Sequence, residues 1–209
     1  MALVPIIQPP VIKLLTTKKE RRIKMPYVQR EVSKTTRIIF PIAVTVIAGL
    51  VAPASVSLVG FLMFGNLLRE CGVLDSLSNT AQQVLANLIT LFLGITIASQ
   101  MTADKFLQTK TLLVIGLGLF AFVFDTAGGV LFAKLYNVVM KILGKPLINP
   151  MIGAAGISAF PMSGRIVHKL GLAEDDQNFL LMHSIGVNVS GQIASVIAGG
   201  MILTLFAGF

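Results

Sequence analysis

Two groups of oxygen-bearing side chains stand inside apolar stretches of this sequence. In the last stretch Ser184, Asn188, Gln192 and Ser195 recur at i, i+4, i+8 and i+11. That spacing puts hydroxyl and amide oxygens on one helical stripe. Upstream, Asn149, Ser158 and Ser163 stand among Pro150, Gly153, Gly156, Pro161 and Gly164. Polar groups are costly in hydrocarbon and tend to face a bundle interior or a pathway. Neutral oxygens in such a place suit a hard cation. Hydrogen bonding between helices is the other reading of the stripe. Gly191, Ser195 and Gly199 also form a ladder of small residues, which serves close packing.

The glycine and proline density of residues 148–167 opposes a continuous helix. Irregular backbone at membrane depth survives only against protein or a water-filled cavity. Broken helices there are where secondary transporters coordinate sodium or protons. Arg165 closes the segment, and two readings stand: a bidentate partner for an anion, or a snorkelling interfacial cation. Asp125 lies beside Gly128-Gly129 and reads either as part of an ion path or as a hydrogen-bonded structural acid. His168 and His183 are 15 residues apart with no thiol near, so they read as packing or interfacial histidines. No phosphate-binding glycine loop, nucleophile elbow or metal-spaced His or Cys set occurs.

The elements that hold these residues must be membrane helices. Of 209 residues, 55% are hydrophobic and only 12% charged, and the mean hydropathy is +0.84. Soluble domains carry roughly 25% charge. The composition excludes a soluble enzyme, a disordered tail and a disulfide scaffold, and implies an all-α polytopic membrane protein. The lone Cys71 pairs with nothing in its own chain. The net charge of +8 is local: residues 13–37 hold nine basic residues against Glu20 and Glu31, which is +7 of the total. With Tyr27 the one aromatic in the stretch, this is no nucleic-acid site. It reads as a cytoplasmic loop, with anionic lipid headgroups as its nonspecific contact.

Along the chain, residues 1–12 read as the end of a membrane helix stopped at Pro9-Pro10. Twelve residues are too few to span, so the chain is expected to start inside a helix, as a fragment or from an internal start. Residues 13–37 form the basic loop and residues 38–209 the membrane domain. The spans fall at about 38–68, 80–101, 111–133 and 179–209, with a re-entrant segment at 148–167. Pro53, Ser55 and Ser57 divide the first of these into two short helices, or a crossing and a half-helix. Asp125 and Gly128-Gly129 are expected to interrupt the span at 111–133. With residues 13–37 in the cytoplasm, Lys134, Lys141, Lys145, Arg165 and Lys169 fall on the same side.

Beyond these physical readings, "ALVPIIQPPVIKLLTTKKERRIKM", "LMFGNLLRECGV", "INPMIGAAGISAFPMSGRIVHKLG" and "NFLLMHSIGVNVSGQIASVIAGGMI" resemble the β subunit of biotin-dependent, sodium-pumping decarboxylases. The resemblance implies a multi-pass subunit of the inner (plasma) membrane. It would decarboxylate carboxybiotin presented by a separate carrier, consume a proton and export sodium. A biotin carrier, a carboxyltransferase and a small membrane γ-type subunit would be its partners. The fold implied is one half of an inverted repeat with a broken helix. By motif, the sodium ligands would be Asn149, Gly153, Ser158 and Asn188, and Arg165 the catalytic residue. The family's first half carries an essential aspartate in "GGADGPT" and a tyrosine before "MALVP", and neither stands in this sequence. The chain is expected to hold only the second half of the site, to need the missing first half, and to be inactive alone. The competing expectation is half of a sodium-coupled secondary carboxylate transporter.

Overall fold

The computed structural model describes residues 3–26, 32–102, 107–157, 159 and 162–206. Among them there is no strand. Four helices are long and apolar enough to cross a membrane: Lys34–Val51, Asp75–Gln100, Thr109–Ile142 and Leu181–Phe206. The fold is that of an all-α polytopic membrane protein.

Helix α1, Val4–Leu15, runs straight through Pro9 and Pro10, so the expected stop at that pair is corrected. Two missing donors are tolerated because tertiary packing holds the helix. Val4, Gln8 and Ile12, one turn apart, are all buried. A single turn, α2 (Lys18–Arg21), follows, closed by a capping box between Thr17 and Glu20.

Helix α3 (Lys34–Val51) and helix α4 (Val56–Glu70) form a hairpin around a 3₁₀ turn at Pro53–Ser55. They are about 27 and 22 Å long at 1.5 Å per residue. Arg37 pairs with Glu70 across the open end at 3.3 Å. The positive φ of Gly72 ends α4 just beyond Cys71. Helix α5, Asp75–Gln100, has no buried residue in its most apolar window and one wide turn at Ala81–Leu85.

Helix α6, Thr109–Ile142, is continuous for 34 residues, about 51 Å. The expected interruption at Asp125 and Gly128-Gly129 does not occur. A mid-helix glycine costs only about 1 kcal/mol against alanine, and no proline removes a bond. The helix also outruns the expected end at residue 133. It stops at Gly144, whose φ is +65. There Lys145 N–H bonds Met140 O and Gly144 N–H bonds Lys141 O, a Schellman ending.

The backbone breaks next. Pro150–Gly156 is a 3₁₀ segment capped by Asn149 and followed by extended Ile157. Helix α7 (Met162–Glu174) and helix α8 (Leu181–Phe206) complete the chain. Met151, Ile152, Ala154 and Ala155 of the broken segment are buried against Ile12, Val130, Val167 and Leu180. The segment least able to satisfy its own backbone is thus the centre of an apolar core. One compact unit gathers α1, α2, most of α6, the broken segment, α7 and most of α8; the other is built on α3, α4 and α5.

Candidate functional site

The broken segment is reached by side chains from several elements. Asn188 of α8 is fully buried. Its Nδ2 donates to Ala155 O at 2.7 Å and Ile157 O at 2.6 Å, and lies 3.0 Å from Ser163 Oγ. Two carbonyl acceptors fix which end of the amide is nitrogen. The opposite atom, Oδ1, is buried with no partner among the described residues. Gln8 of α1 repeats the arrangement: Nε2 donates to Ala154 O at 2.8 Å, and Oε1 is buried with no partner among the described residues. Ser184, one turn before Asn188, is a third buried oxygen without a partner among the described residues. A buried acceptor left unpaired costs about 1–3 kcal/mol.

Glycines permit this closeness. A Cβ at Gly129 would overlap the carbonyl of Gly153, one at Gly153 the carbonyl of Gly129, and one at Gly191 the carbonyl of Gly156. Helices α6 and α8 therefore meet the broken backbone at van der Waals distance. An apolar cleft of about 510 Å³ lies along this contact, lined by Gly129, Tyr136, Gly153, Val187 and Gly191 among others. Asn188 and Gln8 do not line it, so its apolar wall offers no oxygen cage.

The other end of the break is clasped differently. Asn149, also fully buried, caps the segment: its Oδ1 accepts from Met151 N–H at 3.1 Å. Its Nδ2 donates to Arg21 O at 2.8 Å and Ile23 O at 3.0 Å. Asn178 Nδ2 donates to the same Arg21 carbonyl at 2.8 Å. The Arg21 guanidinium pairs with Glu174 at 2.6 Å and donates to Thr16 O at 2.6 Å. Lys24 pairs with Asp175 at 3.2 Å, and Lys134 with Glu20 at 3.1 Å. Burial pushes the Glu20 carboxyl up, but bonds from the Thr17 backbone and hydroxyl and from Lys134 hold it below its ordinary value. The Gln177 backbone and Lys24 hold Asp175 low.

The residues singled out from sequence fall as follows. Asn188 and Ser163 meet, with Ser184 one turn away on the same buried stripe. Gln192 is half-buried and Ser195 exposed, so the stripe leaves the interior after Asn188. Asn149 and Asn188 hold opposite ends of the break and share no partner among the described residues. The six steps across the seven residues Pro150–Gly156, at about 2.0 Å each, put about 12 Å between those ends. Gly153 lies between them. Ser158 lies outside the described residues. Arg165 is exposed in the first turn of α7, and Asp125 is exposed on α6. Gln8 and the Arg21 carbonyl were missed. Gln8 had a visible signal, a lone amide inside the apolar run "VPIIQPPV". A backbone carbonyl shared across more than 100 residues has none.

A profile of the family described as "Na+-transporting oxaloacetate decarboxylase beta subunit" matches residues 1–206. The methylmalonyl-CoA decarboxylase subunit beta of Propionigenium modestum is 50% identical over 206 residues, 99% of this chain and 51% of the relative. The oxaloacetate decarboxylase beta chain of Klebsiella pneumoniae is 50% identical over 203 residues, 97% of this chain and 46% of the relative. The methylmalonyl-CoA decarboxylase subunit beta of Veillonella parvula is 47% identical over 207 residues, 99% and 54% respectively. The chain spans about half the length of the curated relatives it matches.

Proposed function

The chain belongs to the Na+-transporting oxaloacetate decarboxylase beta-subunit family, and on that premise we propose that it supplies the broken-helix half of a sodium-pumping decarboxylase in the membrane. The reaction is decarboxylation of carboxybiotin coupled to sodium export. The bond between the ureido nitrogen and the carboxylate carbon breaks, carbon dioxide leaves, and its electron pair goes to the nitrogen, which takes up a proton. A biotin carrier and a carboxyltransferase present the substrate, and a small membrane subunit completes the complex.

The observation that carries this reading is the Asn188 amide. Its nitrogen is locked onto two carbonyls of the broken segment, so its oxygen is aimed and undersatisfied in a buried place. A hard cation is met by such oxygens. The proposed ion shell is Asn188 Oδ1 with backbone oxygens around Gly153, and Ser158 supplies a hydroxyl. Asn149 belongs to the site by capping the segment from its far end. Neutral donors alone bind a monovalent ion weakly, so an acidic group from outside these 209 residues sets affinity and couples the ion to a proton. Arg165, exposed at the start of α7, takes the carboxylate of carboxybiotin, since its charge would repel a bound cation.

Sodium-dependent decarboxylation of free carboxybiotin by the complete pump tests this. Asn188→Ala should raise the half-saturating sodium concentration at least tenfold, about the scale lost with even an outer-shell partner. Arg165→Ala should impair the carboxybiotin step and leave the sodium dependence in place. An Asn188→Ala pump with normal sodium dependence removes the assignment.

A further inference from the structure

We propose that Arg21 is a positioning residue for the broken segment: its guanidinium, pinned by Glu174, fixes its own carbonyl, and that carbonyl orients Asn149, which caps Pro150–Gly156. This rests on the reading of that segment as the sodium site and goes beyond it. It assigns to the basic stretch after α1 a task other than setting orientation in the membrane.

The contacts run in one unbroken line. Arg21 is buried, unlike most arginines. Its Nε donates to Glu174 at 2.6 Å and its Nη1 to Thr16 O at 2.6 Å and Lys13 O at 3.4 Å. The side chain thus ties the last carbonyls of α1 to the last turn of α7, where a cation favours the exposed helix ends. With both ends of the residue held, its carbonyl has one place to be. There it accepts Asn149 Nδ2 and Asn178 Nδ2, each at 2.8 Å. Asn149 in turn gives its oxygen to Met151 N–H, the first free donor after Pro150. Neighbours brace the stretch: Lys134 with Glu20, Lys24 with Asp175, and Met25 O against His183 Nε2 at 3.2 Å. Such outer partners orient ligands without touching the ion.

Lysine at position 21 keeps the charge but cannot make Arg21's forked set of bonds. Arg21→Lys and Glu174→Gln are therefore the informative variants, each made in the complete pump. Two measurements apply. Hydrogen exchange over residues 149–156 should quicken in both variants and in Asn149→Ala, while exchange in α8 stays unchanged. The half-saturating sodium concentration should rise about tenfold with the rate at saturating sodium retained. A uniform loss of rate at unchanged sodium dependence, or unchanged exchange over 149–156, overturns the proposal. If Arg21→Lys does not accumulate, Glu174→Gln decides alone. The two ideas separate cleanly. Faster exchange with sodium dependence insensitive to Asn188→Ala means the sodium reading fails and the positioning stands. A sodium shift in Asn188→Ala but in neither variant means the reverse.

Discussion

Two short 3₁₀ breaks in this chain start with a proline, Pro53–Ser55 and Pro150–Gly156. Each is met closely by a glycine: Gly200 against Ser55, Gly191 against Gly156. At the first break, the buried Ser55 hydroxyl donates to Ala52 O at 2.7 Å, so its polar accounting closes within three residues. At the second, Gln8, Asn188 and Asn149 link the break to residues 31 to 146 positions away, and Gln8 and Asn188 leave an oxygen unused. The backbone event is the same. A break closed by its own neighbours is a turn in a hairpin. A break held open by distant amides with spare acceptors is a place for something else to bind.

The largest expected effect comes from filling the glycine contacts of the second break. Gly129→Ala or Gly191→Ala should cost about 3 kcal/mol or more by overpacking against carbonyls, seen as loss of folded protein in detergent melts. Gly65→Ala and Gly94→Ala, which meet open space, should be neutral or gain up to about 1 kcal/mol. Normal melting of Gly129→Ala would mean that the second break is not packed closely against α6. Next in size is the tenfold or greater sodium shift of Asn188→Ala, set against Ser55→Ala. Removing the Ser55 hydroxyl should cost about 1 kcal/mol of stability and leave sodium dependence untouched. A sodium effect from Ser55→Ala would erase the distinction.

The smallest effect concerns acid. Glu20 and Asp175 titrate below their ordinary values of 4.5 and 3.8, so their contribution is present above those values. It is lost as pH falls through the lowered folded-state ones. Exchange over residues 17–25 should therefore quicken as pH falls below those ordinary values, and the α3–α4 turn at residues 52–55 should not respond. Glu20→Gln should remove part of the acid response; an unchanged response in Glu20→Gln places its origin elsewhere.

The site was only partly legible in the sequence. Glycine and proline density located the break, because both residues act on the backbone where they stand. Helical spacing picked out Asn188, because a stripe is a local property. The continuity of α1 through Pro9-Pro10 was hidden, since what holds it is packing against Met151, Ile152, Ala154, Ala155 and Val167. The length of α6 past residue 133 was hidden too: Lys134 reads as the end of a span, but here it stays helical and bonds Leu15 O at 3.0 Å. Asn149 was chosen for its oxygen, yet in the fold its nitrogen does as much, through carbonyls whose position no spacing announces.

Cys71 caps α4 half-buried, its thiol 3.2 Å from Leu68 O, just before the left-handed Gly72 and beside the Arg37–Glu70 pair. As the only thiol of the 209 residues, it makes the protein its own topological marker. A membrane-impermeant maleimide added to one face of sealed vesicles holding these 209 residues reads which face carries the open end of the α3–α4 hairpin, with no engineered cysteine in them.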